Sequence, residues 1–156
     1  MFSQTAEYAL RAAVTLAARP DEALTAAELS RQTQIPTDYL FKVMGQLARG
    51  GVVTAVRGKR GGYRLSHPPQ QTSILDIVNA VDPIPRILHC PLGRPAHEHA
   101  LCPLHAHLDA TYAQIERTLS ERKLHELIDP TMGPDPLGAL NLPTLSPSTD
   151  PEAPAP

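Results

Sequence analysis

Ile35-Pro-Thr-Asp-Tyr-Leu-Phe-Lys-Val-Met-Gly-Gln-Leu-Ala-Arg-Gly-Gly51 runs directly into Val52-Val-Thr-Ala-Val-Arg-Gly-Lys-Arg-Gly-Gly-Tyr-Arg-Leu65. The first half has helical period. Pro36 stands where its missing N–H costs nothing, and Leu40, Val43, Met44 and Leu47 fall on one face. Gly50-Gly51 predict a left-handed stop. The period then changes to that of extended chain. Residues 51–56 and 63–65 read as two short strands around a tip, Arg57-Gly-Lys-Arg-Gly-Gly62, that combines three cations with three glycines. Glycine lets a hairpin backbone turn tightly and approach a surface closely. A helix followed at once by a basic hairpin is the arrangement of a recognition helix and its wing.

Upstream, Ser3 can cap a helix reaching to about residue 19, with Ala6, Leu10, Ala13, Val14 and Ala17 on one face, before Pro20 stops it. Thr25-Ala-Ala-Glu28 fits a capping box that starts a short helix over residues 26–33. Three short helices and a hairpin within 65 residues make the order of a winged helix-turn-helix. Downstream, Thr72 or Ser73 caps a short helix containing Ile74, Leu75, Ile77 and Val78. Five prolines then confine residues 82–103 to irregular backbone. Leu104, Leu108, Tyr112, Ile115 and Leu119 follow at gaps of 4, 4, 3 and 4, close to a coiled-coil seam over residues 104–119. Such a seam can pack within the chain; in a DNA-binding module it more naturally pairs two subunits, so that two recognition helices meet successive major grooves. Ser120 is expected to cap a last short helix with Leu124 and Leu127.

The expected fold is mostly α with a small β-hairpin wing, a winged helix-turn-helix carrying a long C-terminal dimerisation helix. Its divisions are a DNA-binding domain over residues 1–81, a cysteine/histidine sensor loop over 82–103, the dimerisation and terminal helices over 104–129, and a disordered proline-rich tail over 130–156. That tail holds 8 of the 17 prolines.

The net charge of −2 conceals a division: residues 1–64 carry nine Lys/Arg against five Asp/Glu, whereas residues 65–129 carry five against eight. Residues 42–64 hold six basic side chains and no acid, the electrostatic footprint of a nucleic-acid surface. A chain of 156 residues is too short for a barrel or two-domain dinucleotide enzyme. No H-E-x-x-H or similar pattern supports a hydrolytic metal site. No apolar stretch is long enough to span a membrane, and two cysteines are too few for a disulfide framework, so a cytoplasmic location is expected.

Five of the seven histidines, His89, His97, His99, His105 and His107, share one window with both cysteines, Cys90 and Cys102. Thiolate and neutral imidazole are ligands for zinc, copper and iron–sulfur centres. The same two cysteines also read as free thiols or as a reversible disulfide that senses oxidants.

Tyr8-Ala-Leu-Arg11, Ile35-Pro-Thr-Asp-Tyr-Leu40, Gly51-Val-Val53, Arg57-Gly58, Gly61-Gly-Tyr-Arg-Leu65, Ile74-Leu-Asp-Ile-Val78 and Ala80-Val81, in that order, resemble the Rrf2 family of bacterial transcription regulators. The resemblance covers roughly residues 2–129. It implies a homodimer that binds partly palindromic double-stranded operators, usually as a repressor, and no enzyme activity. It implies a recognition helix over residues 36–49 with Thr37, Tyr39 and Lys42 near its DNA-facing end. It likewise implies a wing whose Arg57, Lys59 and Arg60 enter the minor groove. Sensor members of the family hold an iron–sulfur cluster on three cysteines of the irregular loop. Cys90 matches the first and Cys102 the third, but Ala96 stands at the middle position. His105 and Glu7 match non-sulfur ligands of particular branches, with Glu7 contributed across the dimer. The implied set is Glu7, Cys90, Cys102 and His105 around a [2Fe–2S] cluster, with His97 and His99 as alternates. Other readings are a cofactor-free or thiol-redox regulator of the same family, and a dimeric interaction protein without specific DNA binding.

Overall fold

The computed structural model describes residues 2–58, 61–131 and 133. Lys59 and Arg60 of the hairpin tip, and all of the expected tail except residues 130, 131 and 133, lie outside the described residues.

The head begins with α1 (Gln4–Ala17). Ser3 Oγ accepts the Ala6 amide at 3.2 Å, a cap of about 1 kcal/mol. Ala6, Ala9, Ala12, Ala13 and Ala17 are all buried. Side chains this small let neighbouring helices approach α1 closely. The helix ends two residues before the sequence expectation, because the Arg19 amide turns back to the Leu16 carbonyl ahead of Pro20. Helix α2 (Ala26–Thr33) opens with the expected capping box. Glu28 accepts from the Thr25 amide (2.8 Å) and hydroxyl (2.7 Å), and Thr25 Oγ1 accepts from the Glu28 amide.

Helix α3 (Thr37–Arg49) buries the predicted stripe: Leu40, Val43, Met44 and Leu47 are all at 0% exposure. Pro36 is the residue before the first helical turn rather than its first member. At the other end Gly51, at φ +73, takes the left-handed position. Its amide donates to the Ala48 carbonyl, and the Val52 amide donates to that of Leu47. These two bonds satisfy carbonyls the helix end would otherwise leave open. Strands β1 (Val53–Val56) and β2 (Gly62–Leu65) pair antiparallel, Val53 opposite Leu65 and Val56 opposite Gly62. A bridge between Leu24 and Tyr63 ties this wing to the chain entering α2.

Helix α4 (Ile74–Val81), capped by Ser73 with Asp76 in a second capping box, closes the head by burying Ile77 and Val78. It crosses the end of α3 tightly: a side chain at Gly50 would meet Ala80 Cβ at 2.5 Å. Beyond it, residues 82–102 are irregular apart from a single 3₁₀ turn, Pro95–His97.

Helix α5 (Pro103–Glu121) spans 19 residues, about 28 Å. None of these residues is buried. Ser120 does not cap the next element; it lies inside α5, its hydroxyl bonded to the Arg117 carbonyl. The short α6 (Leu124–Leu127) starts instead after Lys123, whose amide donates to Glu126 Oε1 at 2.8 Å. The reason is tertiary. A bridge between Ser73 and Lys123 draws the chain back to the head, where Leu124 is buried at 0% exposure. Thus α6 completes the head core, although it follows α5 in the chain. No helix among the described residues is long and apolar enough to cross a membrane.

Candidate functional site

With its apolar stripe turned inward, α3 presents Thr37, Asp38, Phe41, Lys42, Ala48 and Arg49 to solvent. Thr37 Oγ1 donates to Ser30 Oγ at 3.1 Å, and Ser30 donates in turn to the Ile35 carbonyl at 2.6 Å. This chain fixes the turn between α2 and α3. Tyr39 is half-buried. Its hydroxyl shares a 2.7 Å hydrogen bond with Thr5 on α1, and its ring meets Tyr8 edge-on at 5.4 Å. Tyr39 therefore joins α1 to α3, and the Lys42 ammonium sits 5.4 Å from the centre of its ring. Arg57, just past β1, is exposed at the base of the wing tip.

Sequence reasoning missed Phe41, which is 52% exposed on this polar face. Its signal was legible: with 40, 43, 44 and 47 assigned to the core, position 41 points away from it.

A second group forms where the irregular segment meets the start of α5. Cys90, Cys102 and His105 each offer one donor atom, and these atoms lie within 4.8 Å of one another. Cys90 Sγ is 3.9 Å from Cys102 Sγ and 3.6 Å from His105 Nδ1; Cys102 Sγ is 3.2 Å from the same nitrogen. His97 Nδ1 approaches Cys90 Sγ at 3.2 Å from the 3₁₀ turn. His89, His99 and His107 are exposed and outside this trio. Hydrogen bonding to the Leu92 backbone holds the Cys90 thiol below its ordinary pKa, against the opposing effect of desolvation. Hydrogen bonds to Cys102 and the charge of Arg94 add to the lowering.

The sulfur separation decides between two states of this pair. A disulfide needs about 2.05 Å, so both thiols are free. Two sulfurs bound at about 2.3 Å to one tetrahedral metal atom stand about 3.8 Å apart, close to the 3.9 Å found. Two thiolates and an imidazole suit an iron–sulfur centre in kind, because imidazole replaces thiolate on iron in known centres. A fourth donor must join them. Glu7, the residue assigned to that role, sits in the first turn of α1, exposed and paired with Arg11 at 3.0 Å, and does not belong to the trio. His97 is the nearer alternate within the chain.

The segment leading to Cys90 is strapped along α5 by an arrangement the sequence reading did not anticipate. Arg86 grips Asp109 with two bonds of 2.7 Å and reaches Glu116 at 2.9 Å. The Ile87 amide donates to Asp109 at 2.9 Å. The bonds from Arg86 and then the Ile87 amide push the Asp109 carboxyl down to about 2. Asp109 and Glu116 lie seven residues apart, on one face of a helix, but nothing local marks Arg86 as their partner.

Solved structures share this fold. CymR (YrzC), the global cysteine regulator of B. subtilis, matches with a TM-score of 0.65 at 20% identity, over 80% of this chain and 93% of that one. IscR of T. potens matches with a TM-score of 0.67 at 18% identity, over 84% and 88%. CymR of Staphylococcus aureus matches with a TM-score of 0.60 at 21% identity, over 78% and 93%. These likenesses establish the winged-helix fold. The Rrf2 family model, that of an iron-dependent transcriptional regulator, matches residues 2–130. With nearly the whole described chain inside that match, the protein belongs to the Rrf2 family of transcription regulators and not to an enzyme family.

Proposed function

We propose that the chain acts in the cytoplasm as a homodimeric repressor on double-stranded operator DNA, and that the centre at Cys90, Cys102 and His105 sets its operator affinity. The observation that carries this reading is the convergence of two thiols and an imidazole, 3.2–3.9 Å apart, at the start of α5. The other end of α5 is tied to the DNA-binding head through Ser73 and Lys123. Residues 1–81 bind DNA, residues 82–103 sense, and residues 104–129 pair the subunits.

On DNA, α3 enters the major groove. Thr37 and Lys42 lie near its leading end, and Tyr39 steadies Lys42 from beneath. Arg57, Lys59 and Arg60 bring the wing to the minor groove and its phosphates. The dimer contact is α5, whose Leu104, Leu108 and Ile115 are 62%, 42% and 37% exposed in the single chain. Pairing along α5 sets the spacing of the two recognition helices, and with it the half-site separation.

For the cofactor we propose a [2Fe–2S] cluster held by Cys90, Cys102 and His105, with Glu7 supplied across the dimer or His97 from within the chain. When bound, the cluster supplies a redox- and nitric-oxide-sensitive charge at the start of α5. The chain's own part is to hold the segment over residues 82–90 against α5 through Arg86. A change at the centre then moves α5 relative to α4, and α4 rests on the end of α3 at Ala80 and Gly50.

The sulfur geometry also favours a second, cofactor-free reading. Closing 3.9 Å to a bond joins Cys90 and Cys102 as a disulfide, releasing two protons and passing two electrons to an oxidant. The lowered Cys90 pKa makes it the attacking thiolate.

Purification without oxygen, followed by iron, acid-labile sulfide and visible absorption, tests the cofactor. Bound iron and sulfide, lost in both Cys90→Ala and Cys102→Ala, are expected. A colourless, iron-free protein whose operator affinity ignores both iron and oxidants would refute control by this centre. Salt-dependent gel shift on genomic fragments tests the regulator itself: uniform retention of all fragments would leave only the interaction-protein reading.

A further inference from the structure

We infer that Phe41 is a specificity-determining residue that reads the 5-methyl group of thymine in the major groove. The inference rests on the proposed DNA binding and adds the base that one side chain selects.

Its starting point is where the apolar surface lies. Seven large hydrophobic side chains are exposed among the described residues. Phe2 precedes α1, Leu88 and Leu92 belong to the irregular segment, and Leu104, Leu108 and Ile115 to α5. Phe41 alone lies in the helices of the head, and it lies on the outward face of α3. Folding gives no reason for it. The core side of α3 is complete with four side chains at 0% exposure, and a surface helix position is better filled by a polar residue with higher helix propensity.

The surroundings specify the occupant. One turn before Phe41 stand Thr37 and the exposed acid Asp38; next in sequence is Lys42, whose ammonium sits 5.4 Å from the centre of the Tyr39 ring, and further along the helix lies Arg49. One turn after it is Gly45, where a Cβ would meet only the Arg49 guanidinium, at 3.7 Å. No packing demand explains that glycine, and its bare backbone leaves room for a base-pair edge beside the ring. Two cations and one carboxylate border a single apolar point; the cations suit the phosphates of a duplex, and the apolar point suits an apolar group recessed between them. In the major groove that group is the thymine methyl, which phenylalanine is suited to contact. A protein partner would need a wider apolar area than one ring among charged groups.

Deoxyuridine provides the test, because it deletes the methyl and keeps every hydrogen-bonding group of thymine. Operators are selected from a pool of random duplexes with the full-length protein, and each thymine of the selected site is then replaced singly by deoxyuridine. One thymine per half-site should prove sensitive, with affinity falling about fourfold, the worth of one buried methyl. Phe41→Ala should bind the thymine and deoxyuridine duplexes equally while keeping its melting temperature. Phe41→Gln, suited to paired hydrogen bonds with adenine, should select adenine at that position on reselection. Equal binding of all deoxyuridine duplexes by the wild type, or an unchanged deoxyuridine penalty in Phe41→Ala, overturns the inference while leaving DNA binding intact. Failure of the wild type to enrich any duplex overturns instead the DNA-binding reading beneath it.

Discussion

The head and the arm formed by residues 82–121 are built on opposite terms. Every side chain of the buried hydrophobic core belongs to the head or to α6. The arm has a helix of 19 residues without one buried position, and Arg86 ties its partner segment to Asp109 and Glu116 of that helix. The head can thus hold its shape as a single chain by burying surface. Five large apolar side chains of the arm, Leu88, Leu92, Leu104, Leu108 and Ile115, are 37–76% exposed. In the proposed function these are the groups that a second subunit covers, while the head keeps its shape by its own core.

The sharpest way to break that contrast is to delete equivalent apolar groups on both sides. Leu124→Ala, which empties a position at 0% exposure, should cost about 2–5 kcal/mol of stability. Urea unfolding followed by circular dichroism would read it. Ile115→Ala should leave the folding of the single chain within about 0.5 kcal/mol, yet weaken self-association in sedimentation at low concentration. If Ile115→Ala destabilised the isolated chain as strongly as Leu124→Ala, the arm would carry a core of its own and the contrast would fail.

Next in size is the strap. Arg86 touches none of the thiols, but it holds the residues leading to Cys90 in line with α5. Groups bonded directly to metal ligands commonly carry about 10–100-fold in metal affinity, and Arg86, one step further out, sets the low end of that range as an upper bound. Arg86→Ala should lower retention of metal at Cys90 and Cys102 within that bound, measured by competition with a chelator. The thermal midpoint of the head should stay nearly constant, because an exposed ion pair contributes little to it. Equal metal retention in Arg86→Ala and wild type would reduce the strap to a surface ion pair.

The same division governs what the sequence made legible. In the head, local rules and tertiary packing agree. Thr25 and Glu28 form the capping box their spacing announces, and Leu40, Val43, Met44 and Leu47 are buried as their period requires. Cys90, Cys102 and His105 were legible as a set from residue chemistry and the family resemblance, and the fold brings those three together. Errors arose where a distant partner decides. Ser120 has the chemistry of a cap, but the bridge of Lys123 to Ser73 moves the start of α6 past it. Tyr39 likewise takes a partner that local spacing does not announce, its hydroxyl sharing a hydrogen bond with Thr5, 34 residues earlier. Arg86 could not be paired because Asp109 and Glu116 are 23 and 30 residues away. Phe41 was different: its outward position follows from the period of Leu40, Val43, Met44 and Leu47 and was readable without any distant partner.

The smallest expected effect concerns acid, and it is read at the strap of the arm. Asp109 has an ordinary carboxyl value of 3.8 and is pushed down to about 2 by Arg86 and the Ile87 amide in the folded arm. A group whose pKa is lower when folded binds protons less readily in the native state, so it favours folding fully above 3.8 and progressively less as pH falls toward 2. The attachment of residues 82–90 to α5 should therefore loosen across that window. The head has acid-sensitive groups of its own, since the Thr25 amide and hydroxyl hold the Glu28 carboxyl below its ordinary range, so the readout has to sit on the arm itself. Fluorescence of a label placed at Leu88, which is 76% exposed, should report the loosening between pH 4 and 2 at low salt. In Asp109→Asn that transition should be absent, because the side chain no longer titrates. A transition of unchanged amplitude in Asp109→Asn would transfer the acid response to another carboxylate.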